Sequence, residues 1–251
     1  MRLTRLYTGA DNKTHEEELE MTNPMLATVQ SATGIDFRVL ESGHYIDWHT
    51  APRRQFVITL AGEGEIGLGD GSKLRCGPGH VKLIEDMTGQ GHTAKVVSDQ
   101  PRIVARIHLG PREAGDTDLG KVPWRSTHQH ILRASGEQAR VFTRLYTGAD
   151  NKTHLEEIEI TNPMLATLQS ATAIDFRVLK PGHNLGFHNT PQRKFVITLA
   201  GEGEIGLGDG SKFRCGPGNV TLVEDLTGQG HTGKVVGDQP RIVAIVHLGP
   251  R

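Results

Sequence analysis

A chain of 251 residues, 36% apolar and 23% charged, is long enough for one large or two modest globular cores and too apolar to be disordered. Its 28 basic residues stand against 29 acidic ones for a formal charge of −1, which offers neither a basic face for nucleic acid nor a polybasic stretch for an anionic membrane. No long uncharged apolar run occurs, and Arg2, Arg5, Asp11 and Lys13 interrupt any signal-like stretch after Met1, so a cytoplasmic location is expected.

Shifted by 139 positions, Thr4–Arg112 lies over Thr143–Arg251 without an insertion or deletion, and about 85 of those 109 positions are identical. This is a tandem duplication, and it sets two domains, 1–112 and 143–251, each with its own fold. In the first repeat Thr33–Leu40, Phe56–Ala61, Val81–Glu85, Thr93–Val97 and Ile103–Leu109 are short runs of Val, Ile, Phe and Thr between Gly, Pro, Asp and Asn. Such runs read as strands, and their spacing suggests a sandwich or barrel. No segment holds a helical period.

Residues 113–142 have no counterpart and read as a polar linker with one short helix near Ser126–Arg140. Its His128 and His130 would point about 200° apart on a helix, which suits a solvated pair better than a metal site. Cys76 and Cys215 occupy equivalent places and are expected as two small buried thiols rather than a disulfide. The run Gly62-Glu-Gly-Glu-Ile-Gly67 matches a dinucleotide-binding pattern, but it leads into Asp70-Gly71, a hairpin-turn pair, instead of opening a helix.

The chemistry-bearing stretch is Gly43–Gly62, repeated at Gly182–Gly201. It carries His49-x-Ala51, Pro52-Arg-Arg-Gln55 and Phe56-Val-Ile-Thr-Leu, and Gly89-Gln-Gly-His92 follows. These residues resemble the cupin family. The first cupin motif runs Gly, five residues, His-x-His, three or four residues, Glu, six residues, Gly; Gly43, His49 and Gly62 fall at those places, with Ala51 at the second His and Gln55 at the Glu. The second motif ends Gly-x-x-His, as Gly89–His92 does, although Glu85-Asp86 precede it where Pro is usual. The wording also resembles a group of small bacterial cupin-like proteins with HxxPRRQ and EDxTGxGH signatures.

The resemblance implies an all-β bicupin of two tandem jelly-roll β-barrels, with a divalent transition metal (Fe, Mn, Ni, Cu or Zn) held by His49 and His92 and by Gln55 as an amide-oxygen third donor. Imidazole suits those ions, and a set thinned by one His and one carboxylate leaves positions open for water or substrate. The second repeat keeps His188 and His231 as weaker candidates, but Thr190 replaces Ala51 and Lys194 replaces Gln55, and an ammonium repels a metal ion.

Simple alternation puts His49, Asp47, Tyr45 and Ala51 inside the barrel and Trp48, Ile46 and His44 outside. The outward apolar set is then expected to be covered by the partner domain or by a second subunit; the alternative is that His49 itself faces outward. Tyr45 and Arg54 are substrate-binding candidates, the latter for a carboxylate. Glu85 shares a face with Val81 and Leu83 and is a candidate general acid or base; its other reading is an ion pair with Arg54. Asp86 is expected to bond the turn carrying His92, and His44, His108 and their copies to be structural. The expected function is metal-dependent chemistry on a small acidic or oxygenated molecule, of dioxygenase or lyase/isomerase type. The alternatives are a metal-free small-ligand-binding module and a purely structural role, with a homo-oligomer as a further partner expectation.

Overall fold

The structure, a computed structural model, describes residues 3–20, 29–110, 142–160, 162, 165 and 167–250. Most of the expected linker, its helix and its His128/His130 pair lie outside these residues. In the first repeat the strands are β1 (Leu3–Thr8), β2 (Thr14–Glu18), β3 (Gln30–Leu40), β4 (Tyr45–His49), β5 (Gln55–Ala61), β6 (Gly64–Gly67), β7 (Lys73–Cys76), β8 (Val81–Glu85), β9 (His92–Val96) and β10 (Arg102–Leu109). The second repeat copies them as β11 (Phe142–Thr147), β12 (Thr153–Glu157), β13 (Gln169–Leu179), β14 (Asn184–His188), β15 (Lys194–Ala200), β16 (Glu202–Gly206), β17 (Lys212–Cys215), β18 (Val220–Glu224), β19 (His231–Val236) and β20 (Arg241–Leu248). Among the described residues no helix is long and apolar enough to cross a membrane.

The pairing is nested: β3 with β10, β4 with β9, β5 with β8 and β6 with β7. A long hairpin wound on itself gives this order, and it splits the repeat into a β3-β10-β5-β8 sheet and a β4-β9-β6-β7 sheet. That is the jelly roll, the all-β class expected. Gly64 and Gly67 lie in β6, opposite β7, so the glycine-rich run is strand and turn and opens no helix.

The larger sheet buries residues on both faces. Its inner face turns Val57, Ile84 and Val104 toward the barrel, where they pack with Ala51. The outer face, with Ile35, Phe37, Phe56, Ile58 and Ile107, joins Phe142, Ile174, Phe195 and Val246 of the second repeat in one cluster. Phe37 meets Phe142 and Phe195 edge to face, with centroids 4.9 and 5.3 Å apart. Phe142 is thus core and strand, one residue inside the span read as linker. Antiparallel pairing of β13 with β3 continues the two large sheets into one of twelve strands.

Candidate metal centre

β4 and β9 face each other across the smaller sheet, but not in simple alternation. Ile46 pairs with Ala94 and His49 with His92, three steps on β4 against two on β9. This β-bulge turns Ile46 and His49 to the same, inward side. Gly91, at φ +75°, makes the close approach that the pairing needs: a Cβ there would lie 2.1 Å from the His49 carbonyl oxygen. The expected inward set of Asp47 and Tyr45 is therefore corrected. Tyr45 pairs with Lys95 on the outer side, is 54% exposed and donates its hydroxyl to Asp47 at 3.2 Å, away from the barrel interior. Trp48 and its copy Phe187 are outward and exposed, at 46% and 53%, instead of covered by the other repeat.

The His49 and His92 rings stand 4.5 Å apart, centroid to centroid, with planes inclined by 55°. His49 Nδ1–H donates to the Asp47 carbonyl at 2.7 Å, and His92 Nδ1–H donates to Asp86 Oδ2 at 2.6 Å. A carbonyl and a carboxylate only accept, so in both rings Nδ1 carries a proton, and Nε2 is the nitrogen that offers a lone pair when the ring is neutral. Thr14 donates to the same Asp86 oxygen at 2.9 Å, fixing the carboxylate from β2, while Asp86 Oδ1 has no hydrogen-bond partner among the described residues. Burial pushes His49 below its ordinary pKa, and the neighbouring His92 adds to this, which favours the neutral ring.

Gln55 is on the barrel-facing side of β5, opposite His108 and Ile84, and only 6% exposed. Its amide has no hydrogen-bond partner among the described residues. Among those residues no group of three or more His, Cys, Asp or Glu side chains is placed to hold a metal ion. The candidate donors are two oriented imidazoles and, on the barrel-facing side of β5, one amide. Imidazoles anchored at Nδ1, one of them by a carboxylate, are the arrangement metal-ligating histidines adopt, so the residues present fit a divalent transition ion as a thin, open set.

The second repeat copies the frame. His188 and His231 are 4.5 Å apart at 51°, with Nδ1 donated to the Gly186 carbonyl at 2.9 Å and to Asp225 at 2.6 Å, and Thr153 donates to Asp225 at 3.1 Å. Lys194 occupies the Gln55 position, and it lines a cavity of about 300 Å³ together with His188, His231 and Leu185.

Glu85 and Arg54 are not part of either interior. Val81 and Leu83 face the second repeat, so Glu85, two residues on, does too; the alternation was read correctly, but that face is outside the barrel. Arg5 holds one oxygen of Glu85 at 2.5 Å, and Arg54 pairs with the other. Arg54 is thereby paired with Glu85, on the face that lies outside the barrel, as the ion-pair reading of Glu85 expected. A barrel-facing cluster is present that sequence reading passed over as a structural His. Asp36 accepts from Arg106 at 2.8 and 2.9 Å and lies 3.1 Å from His108. The signal for it was the period-two placement of Asp36 between Ile35 and Phe37, opposite Arg106.

No protein-family model matches the chain, and no curated protein sequence does. Among solved structures it is similar to a cupin 2 conserved barrel domain protein from Leptotrichia buccalis, 14% identical over 89% of this chain and 90% of that one, with a TM-score of 0.41. AerE from Microcystis aeruginosa is 12% identical over 86% and 87%, with a TM-score of 0.34. Oxalate decarboxylase from Bacillus subtilis, described with Mn(II) centres, is 13% identical over 100% of this chain and 76% of that one, with a TM-score of 0.33.

Proposed function

We propose that the first repeat is a metal-dependent site acting on a small acidic or oxygenated molecule, in a reaction of dioxygenase or lyase/isomerase type. The observation that carries this reading is the pair of buried or half-buried imidazoles, 4.5 Å apart and each anchored at Nδ1, together with the buried Gln55 amide on the barrel-facing side of β5. His49 and His92 would hold the ion through Nε2, and Gln55 would add its amide oxygen. A divalent transition ion there supplies Lewis-acid or oxygen-activating chemistry. Asp86 keeps the proton on His92 Nδ1 and fixes the ring plane, Thr14 fixes Asp86, and the apolar Ala51, Val57, Ile84 and Val104 exclude water from one side. In the second repeat the Lys194 ammonium beside His188 and His231 weighs against the same ion.

The test is metal analysis of the full-length protein after incubation with Mn(II), Fe(II) or Zn(II) and gel filtration, beside His49→Ala, His92→Ala and His188→Ala. Metal at one equivalent in wild type and His188→Ala, lost from both first-repeat variants, is expected. A wild type that retains none, or a first-repeat variant that retains it all, overturns the reading. The second reading, metal-free binding of a small ligand, is favoured by the cavity of the second repeat.

A further inference from the structure

The two repeats share their frame but not their interiors. Thr221, Val223 and Gly233 line the second-repeat cavity, and the first repeat has Lys82, Ile84 and Ala94 at those places. All three exchanges remove side-chain volume. In the first repeat Lys82 is fully buried with its ammonium 3.6 Å from Cys76 Sγ; in the second, a Cβ added to Gly233 would meet nothing within 4 Å. Two further exchanges move a cation instead of removing it. Arg106, the bidentate partner of Asp36, becomes Ile245, while Gln55 becomes Lys194 on the adjacent strand. The space is thus opened and an ammonium is set into its wall.

The charge of that wall is one-sided. Arg177, Lys194, Lys234 and Arg241 line it with His183, His188 and His231, and no Asp or Glu does so among the described residues. Three of the four cations are already engaged: Arg177 with Asp175 at 3.0 Å, Lys234 with Glu204 at 3.0 Å, and Arg241 with Thr198 at 2.8 Å and Cys215 at 3.1 Å. Lys194 has no hydrogen bond or ion pair among the described residues. Burial, and then Arg177, hold it below the ordinary lysine pKa, against the pull of Asp225 and Asp175. Leu145, Leu179, Val196, Ile205 and Val243 make the remainder of the wall apolar.

A partly desolvated ammonium without a partner, in an apolar cavity without carboxylates, is complementary to an anion with an apolar body. We infer that the second-repeat cavity binds a small organic carboxylate, with its carboxylate on Lys194 and its hydrocarbon part against Val196, Ile205 and Val243, without a metal ion. The volume, about 300 Å³, is at the low end of the roughly 300–1,000 Å³ of small-molecule pockets, so the ligand is a few carbons long. This site does not depend on the metal reading of the first repeat.

The experiment is calorimetric titration of the full-length protein in EDTA with hexanoate and with hexanamide, its neutral analogue. Saturable binding of hexanoate, weaker by about tenfold or more for hexanamide, is expected. Lys194→Gln, which installs the first-repeat residue, should weaken hexanoate by about tenfold or more and leave hexanamide unchanged. Gly233→Ile should abolish binding of both, and His49→Ala should change neither. Hexanoate that does not saturate wild type, that binds Lys194→Gln as well as wild type, or that binds Gly233→Ile unaltered overturns the proposal. Binding lost with His49→Ala also overturns it, because the ligand then belongs to the first repeat.

Discussion

Asp86 and His92 form a buried carboxylate–imidazole pair, Oδ2 to Nδ1 at 2.6 Å, in which the aspartate determines which nitrogen of the ring is free. Asp86 directly follows β8 and His92 opens β9, so the two ends of the turn between those strands hold the two halves of the pair. Asp86→Asn keeps the volume and removes the charge that makes the ring a stronger donor. Under the metal reading, affinity for a divalent transition ion should fall by about 10- to 100-fold, read by competition with a chromogenic chelator. Unchanged affinity would show that the pair serves only the fold.

Glu85 is two-sided in its bonding, with Arg5 on one oxygen and Arg54 on the other, and its side chain is almost wholly buried. Glu85→Gln removes the carboxylate that Arg5 and Arg54 share, leaving Arg5 its Glu17 partner at 2.8 Å, which should lower stability by about 1–3 kcal/mol in urea titration. Metal content and hexanoate binding should not change. A variant as stable as wild type but altered in either binding property would return Glu85 to the site.

The all-β class and five strands of the first repeat were legible in the sequence because their runs are apolar, short and bounded by turn residues, while the jelly roll was what the cupin resemblance implied. β2, Thr14–Glu18, was not, since three glutamates on a half-buried strand resemble a loop. His49 and His92 were legible through spacing. The phase of their strand was not, because the bulge after Ile46 is fixed by the register with β9 and leaves no Gly or Pro mark on β4. For Glu85 the alternation was right and the side wrong. The sheet buries both faces, one in the barrel and one against the second repeat, and two buried faces that both carry apolar residues look alike to a period-two reading. The cavity of the second repeat required the structure, since Lys82, Ile84 and Ala94 lie on separate positions of β8 and β9 and only converge in the barrel.

Asp36 is held far below the usual carboxylate range. Burial alone would raise it, but His108 3.1 Å away and the two hydrogen bonds from Arg106, with their charges, outweigh that. A carboxylate depressed in the folded state contributes stability that is present above its unfolded pKa, near 4, and is lost as pH falls through the folded value. Asp36→Asn should therefore lower stability by about 3 kcal/mol at pH 7, and the difference from wild type should shrink steadily below pH 4. An equal difference at pH 7 and pH 3 would mean that the charge of Asp36 contributes nothing.

Lys82 gives the opposite sign. Its side chain is fully buried beside Cys76, and burial pushes it down to about 8 from an ordinary 10.5. Between those values the unfolded chain binds more protons than the folded one, so stability rises with pH through that window. Below pH 8 the whole penalty applies, about 3 kcal/mol. Lys82→Met keeps the length of the side chain and removes the charge, so it should raise stability at pH 7 by about that amount, and the gain should fade toward pH 10.5. Urea titrations of both proteins at pH 7 and pH 10 measure it. A gain equal at both pH values would place the effect in packing, and no gain at pH 7 would mean that the Cys76 sulfur already offsets the buried charge.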